Sequence, residues 1–242
     1  MDALFLPTFL CALALAAVHV VTPKQIAGFS AGPRSRWLSL AGGIAVAYVF
    51  MHLLPELAEH ERTLQDGAEG AGAIVYGLSL AGLVVFYGLE RQIRKARDEK
   101  QDSRAEGSGT GRFWLHIGSF ATYNLLIGYL LLHREEAGLA SLLLYSTAMA
   151  MHFFSNDFAL RRDHENLYDH RGRWALAGAV RVGWLLGATV DVPELGLMAL
   201  FSFLSGAIVL NVLKEELPEE RKSRFLPFLT GVAGYGALLT VI

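Results

Sequence analysis

His152 and Asn156 stand four residues apart in the stretch "MHFFSND", Met151 to Asp157, with Asp157 directly after Asn156. On a helix that spacing puts an imidazole and an amide on one face with a carboxylate at its edge. Such a set can ligate a divalent cation or hold a proton. It closes the apolar run "GLASLLLYSTAMA", and ionisable groups at membrane depth are costly, so they mark a pathway or a structural ion pair. Asn124 in "YNLLIG" stands between Tyr123 and a glycine-containing turn, with His116 seven residues before Tyr123 on the same stripe. Arg181 stands in "GAVRVGW", about two turns from the cytoplasmic end of its segment. His52, Glu56 and His60 are spaced four and four, an alignment that would capture a cation near the outer end of a helix, although Pro55 distorts it. The other reading of that trio is an interfacial cap of the "HLLPE" turn. His19 and His133 lie near segment ends and read as interfacial residues rather than ligands.

The elements that must position these groups are the apolar blocks. With 53% hydrophobic and 18% charged residues and a mean hydropathy of +0.37, the chain is too apolar for an ordinary soluble domain. Uncharged spans run from Asp2 to Lys24, Trp37 to Pro55, Gly70 to Leu89, Phe113 to His133 and Ala137 to Asn156. Leu195 to Leu213, Phe225 to Ile242 and the shorter Trp174 to Val190, which contains Arg181, follow. A spanning helix needs about 20 predominantly apolar residues. The expectation is therefore an all-α integral membrane protein of eight transmembrane helices, forming a single polytopic domain over residues 1–242. The runs are continuous rather than alternating, which excludes a barrel. The first block has Asp2 and no Lys or Arg before it, and it is too long for a cleaved signal peptide. Cys11 is the only cysteine, so no intrachain disulfide forms.

Lys and Arg gather in alternate connections. Lys24, Arg34 and Arg36 follow the first span, and Arg91, Arg94, Lys95, Arg97, Lys100, Arg104 and Arg112 the third. Arg161, Arg162, Arg171 and Arg173 follow the fifth, and Lys214, Arg221, Lys222 and Arg224 the seventh, while the opposite side has only Arg62 and Arg134. Basic residues accumulate in cytoplasmic loops, so both termini are expected outside. The connection from about 91 to 112 reads as a flexible cytoplasmic linker. The loop "RRDHENLYDHRGR" holds His164 and His170 beside acids and could offer weak cytosolic metal contact.

These residues resemble the Zrt- and Irt-like (ZIP) metal transporters. That family has eight helices with both ends outside, and its metal sites lie on the fourth and fifth. Its fourth-helix pattern, H-N-x-x-D-G, is similar to "YNLLIG", which keeps Asn124 and Gly128 but has Tyr123 and Ile127 at the His and Asp positions. Its fifth-helix pattern, H-E-x-P-H-E, is similar to "HFFSND", which keeps His152 and has Phe153, Ser155, Asn156 and Asp157 at the Glu, Pro, His and Glu positions. "GGIAVAYVFMHLLPELAE" and "SGAIVLNVLKEELPEE" resemble the family's second and seventh helices. The resemblance implies a ZIP-like bundle that moves a divalent metal such as zinc, iron or manganese through His152, Asn156, Asp157 and Asn124. It also implies a homodimer and an elevator-like or rocking motion. A multi-pass position in a bacterial-type plasma (inner) membrane is expected.

The reduced ligand set carries one formal negative charge, from Asp157, whereas replacing a metal's hydration shell favours several deprotonated ligands. Arg181 falls near the position of a family glutamate. A second reading therefore follows: a non-transporting binding or regulatory protein in which an Asp157–Arg181 ion pair replaces the metal. The chain has no H-E-x-x-H, G-x-S-x-G or phosphate loop, so no enzyme is expected. Basic residues scattered over short loops give no nucleic-acid surface. Lipid and divalent cations are the expected partners, and no cofactor is required.

Overall fold

The computed structural model describes residues 4–26, 36–67, 70–101, 109–134, 138–216 and 224–240, and among these the chain is all-helical. In order come α1 (Phe5–Ile26), α2 (Arg36–Tyr48), α3 (Leu54–Gly67), α4 (Ala73–Gln101), α5 (Gly109–Leu130), α6 (Leu139–Leu167), α7 (Arg173–Thr189), α8 (Glu194–Asn211) and α9 (Phe225–Leu239). Each of the eight apolar segments is helical over most of its described residues, α2 and α3 sharing the second. Three are long and apolar enough to cross a membrane by length and composition: Arg36–Asp66, Ala73–Gln92 and Glu194–Lys214. Only 11% of the apolar window in Ala73–Gln92 is buried, and Leu80, Val84 and Val85 face outward. An apolar helix that the protein leaves uncovered is matched to lipid.

Three π-helical turns interrupt the α-helices: Val49–Leu53, Tyr168–Gly172 and Val212–Glu216. The first has a cause in the sequence. Pro55 has no N–H and its ring displaces the carbonyl one turn back, so the helix widens there, and Leu54 N–H bonds the Val49 carbonyl. α2 and α3 are thereby one bent rod rather than two helices.

Two expected loops are helical. The first part of the connection from about 91 to 112 continues α4 as far as Gln101, as its run of Arg, Gln, Lys and Ala favours; residues 102–108 lie outside the described residues. The "RRDHENLYDHRGR" loop is the end of α6 and the second π turn, and the break in direction falls on His164 (φ −141°, ψ 35°).

Three helix pairs form the most extensive interfaces, α5 with α7, α2 with α9, and α4 with α8, while α1 lies against α6 and α7. Each pair crosses where a glycine on one helix meets the backbone of the other. A Cβ at Gly128 would meet the Val180 carbonyl and one at Gly183 the Leu125 carbonyl; Gly43 and Gly231 do the same for α2 and α9, and Gly82 and Gly206 for α4 and α8. Close backbone approach through small residues is how helices associate where lipid removes the hydrophobic drive between them. The contacts also give direction. Gly183 meets Leu125 and Gly187 meets Tyr129, while Gly231 meets Gly43 and Gly236 meets Met51, so these pairs run parallel.

Candidate functional site

α1, α5 and α6 meet at a buried cluster of polar side chains. On α1, Thr8, Ala12, Leu15, Ala16 and His19 form one buried stripe with the i, i+4, i+7 spacing of a helix face. It brings His19 onto α6, where Nδ1 lies 2.8 and 3.0 Å from the two carboxylate oxygens of Asp157. Asp157 is 0% and His19 1% exposed. On its other edge, His19 Nε2 lies 2.9 Å from Asn124 Nδ2 of α5. Phe153 closes the face of the imidazole at a ring distance of 4.6 Å.

A second set stands beside the first. Tyr123 Oη is 2.8 Å and Asn156 Nδ2 is 2.9 Å from Nε2 of His152. Tyr123, His152 and Asn156 are all buried. Consecutive residues of α5, Tyr123 and Asn124, thus serve one imidazole each.

The protonation pattern follows from what each partner can do. A carboxylate only accepts, so His19 Nδ1 carries a proton, and Nε2 of the neutral ring accepts from the Asn124 amide. Both nitrogens of His19 are satisfied. His152 differs. With a hydroxyl and an amide directed at Nε2, its proton rests on Nδ1, and neither His152 Nδ1 nor Asn156 Oδ1 has a hydrogen-bond partner among the described residues. A buried donor and a buried acceptor four residues apart on one helix are thus left to something other than this chain's own groups, since buried polar atoms are rarely left unmade.

Asn124 and Asp157 each meet His19, and His152 meets Asn156 one turn along its own helix. The expected ion pair between Asp157 and Arg181 does not form. On α7 the buried stripe of Leu176, Val180, Gly183 and Gly187 turns Arg181 to the exposed side, and Asp157 takes His19 instead. His19 is a buried partner rather than an interfacial residue. The signal for it was available: it extends the small-residue stripe of α1, the face that packs.

Of the outer trio, His52 Nε2 lies 3.5 Å from Glu56 Oε2, whereas His60 is buried with its ring edge-on to Phe201 at 5.0 Å. A small pocket open to the surface is lined by His52, Glu56, His133, Arg134, Ser141 and Tyr145. His133 lies beyond the end of α5 and reaches the Gly187 carbonyl at 3.1 Å.

At the opposite end, His116 leaves the Tyr123 cluster and pairs with His164, Nδ1 to Nε2 at 3.2 Å. His170 is exposed and donates to the Asn166 carbonyl at 2.8 Å, so the two loop histidines do not act together. Arg161 grips Asp169 through Nε and Nη2 at 2.9 and 3.0 Å, and Lys214 pairs with Glu90.

Among the described residues, no group of three or more His, Cys, Asp or Glu side chains is arranged to hold a metal ion. No protein-family model matches the chain, and no curated protein matches it.

Proposed function

We propose that this chain is a multi-pass membrane protein of the ZIP-like kind that carries a divalent metal through the cluster on α1, α5 and α6. The observation that carries this reading is the pair of buried atoms without a protein partner, His152 Nδ1 and Asn156 Oδ1, beside the buried Asp157 carboxylate. Nitrogen from imidazole, oxygen from an amide and a carboxylate suit zinc, iron(II) or manganese. For His152 to ligate through Nδ1, its proton moves to Nε2 and is donated to the Tyr123 oxygen, whose own hydroxyl proton turns away, and the Asn156 amide nitrogen, now 2.9 Å from Nε2, moves off that edge of the ring. Charge neutrality is then the weak point of the site, because Asp157 is its single formal anion. Lower affinity than a site of several carboxylates follows.

A second reading is favoured by a different observation: Asp157 is already matched by His19 at 2.8 Å, and no three-ligand group is assembled among the described residues. In that reading the fold is kept, transport is lost, and the His19–Asp157 pair fills the role first assigned to Arg181. Uptake of zinc, iron(II), manganese and cadmium into proteoliposomes separates the two. Transport predicts uptake by the wild type that is abolished in Asp157→Ala. A folded wild type that moves none of the four ions overturns the transporter reading and leaves the closed one.

A further inference from the structure

His19 has no counterpart in the sequence patterns of α5 and α6, yet it occupies the centre of the cluster. Its Nδ1 lies 2.8 and 3.0 Å from the two Asp157 oxygens, which puts it in the mouth of the carboxylate, where a cation bound through both oxygens would sit. Its Nε2 meets Asn124 at 2.9 Å. One imidazole thus bridges the carboxylate of α6 and the amide of α5, and it comes from a helix that contributes nothing else to the cluster.

The surroundings fix it there. Phe153 stacks on the ring at 4.6 Å and 33°, and Asp157 is fully buried, so the carboxylate has no open approach from solvent. The ring cannot leave by a small rotation without breaking contacts on both edges and the face.

We propose that His19 is a stopper carried by α1: its imidazole takes the place of the cation between Asp157 and Asn124, and the site becomes available when α1 draws it out. This rests on the proposed cation site but makes a claim of its own, that the space between α1, α5 and α6 is an imidazole-shaped receptacle whose occupant is interchangeable with a metal. A charge-assisted contact to a buried carboxylate makes the occupied state the resting one. α1 packs on α6 and α7 rather than on α5, so its displacement would open the cluster while leaving the α5–α7 pair intact.

The test removes the stopper and asks what takes its place. Purified His19→Gly and His19→Ala, in detergent, are titrated with imidazole and separately with zinc, using calorimetry and thermal midpoint as readouts. His19→Gln, which keeps hydrogen-bonding groups on the side chain, reports whether loss of packing alone harms the fold. The proposal expects saturable imidazole binding to His19→Gly that raises its midpoint, is absent in the wild type, and is lost when Asp157→Asn is added. It also expects His19→Ala to bind zinc at least tenfold more tightly than the wild type, with imidazole competing in His19→Gly. Zinc binding that is unchanged or weakened in both variants overturns the stopper and makes His19 a ligand or a structural partner. No imidazole binding to a folded His19→Gly also overturns it. Imidazole binding that depends on Asp157, with zinc bound by no variant, leaves an imidazole receptacle but overturns its interchange with a metal, and with it both the stopper and the metal-site reading.

Discussion

At the scale of single residues, the decisive choice is which partner Asp157 finds. A carboxylate removed from water needs a partner, and removing one member of a buried pair costs about 3–5 kcal/mol because the other charge is left uncompensated. His19 supplies that partner from α1. Arg181 has no part in it, so Arg181→Leu is expected to change stability by no more than about 0.5 kcal/mol and to leave metal uptake as in the wild type. Thermal midpoints in detergent together with proteoliposome flux check this. A loss of several kcal/mol would restore the Asp157–Arg181 pair. The contrast shows which parts of the cluster were legible. His152 and Asn156 share a face by helical spacing alone, with Asp157 at its edge, and Asn124 stands on a separate segment. His19 is one ring in an apolar helix more than a hundred residues from its partner, and no local pattern records that distance. Arg181 misled because its position along the segment was right while its angle around the helix was wrong.

At the scale of elements, the site depends on how α5 is held, since Tyr123 and Asn124 set both imidazoles. α5 is held by α7 at reciprocal glycine contacts. A Cβ at Gly183 would collide with the Leu125 carbonyl, a backbone atom that cannot swing aside, whereas one at Gly178 on the same helix meets nothing within 4 Å. Gly183→Ala is therefore expected to cost about 1–3 kcal/mol by overpacking, with uptake falling as Asn124 is displaced from His19. Gly178→Ala is expected to be neutral or up to about 1 kcal/mol stabilising, because it replaces glycine inside a helix. Parallel thermal denaturation of the two variants checks it, and equal effects would refute the close approach. The sequence displayed these glycines as general small-residue packing. It gave no sign of which ones meet, because a crossing is a property of two helices and each carries only half of it. Pro55, by contrast, announced a distortion in its own helix, and the π turn at Val49–Leu53 is the form it took.

At the scale of the molecule, the helix pairs bear on the path of the chain through the bilayer. Counting the eight apolar segments in order, α5 and α7 are the fourth and sixth, α2 and α9 the second and eighth, and α4 and α8 the third and seventh. Each pair is separated by an even number of steps, and the glycine contacts make α5–α7 and α2–α9 parallel. Segments that alternate in direction must be parallel at even separation, so the packing agrees with alternation without using charge. The ends agree as well. Trp184 near the end of α7 donates to Thr8 at the start of α1, while His133 reaches Gly187 and Leu239 lines a cavity with His52 and Ser141. The start of α1 and the end of α9 thus share one end of the bundle. Which end faces the cytoplasm is a matter of charge, and in the proposed topology the basic connections face it and the other end lies outside. In a Cys11→Ser background, a membrane-impermeant maleimide is expected to label Thr240→Cys in intact cells. Ser103→Cys, in the basic connection after α4, should react only after permeabilisation. The reverse pattern would invert the molecule while preserving the bundle. Labelling of both from outside would break the parity, and with it the agreement between parallel pairs and alternating spans.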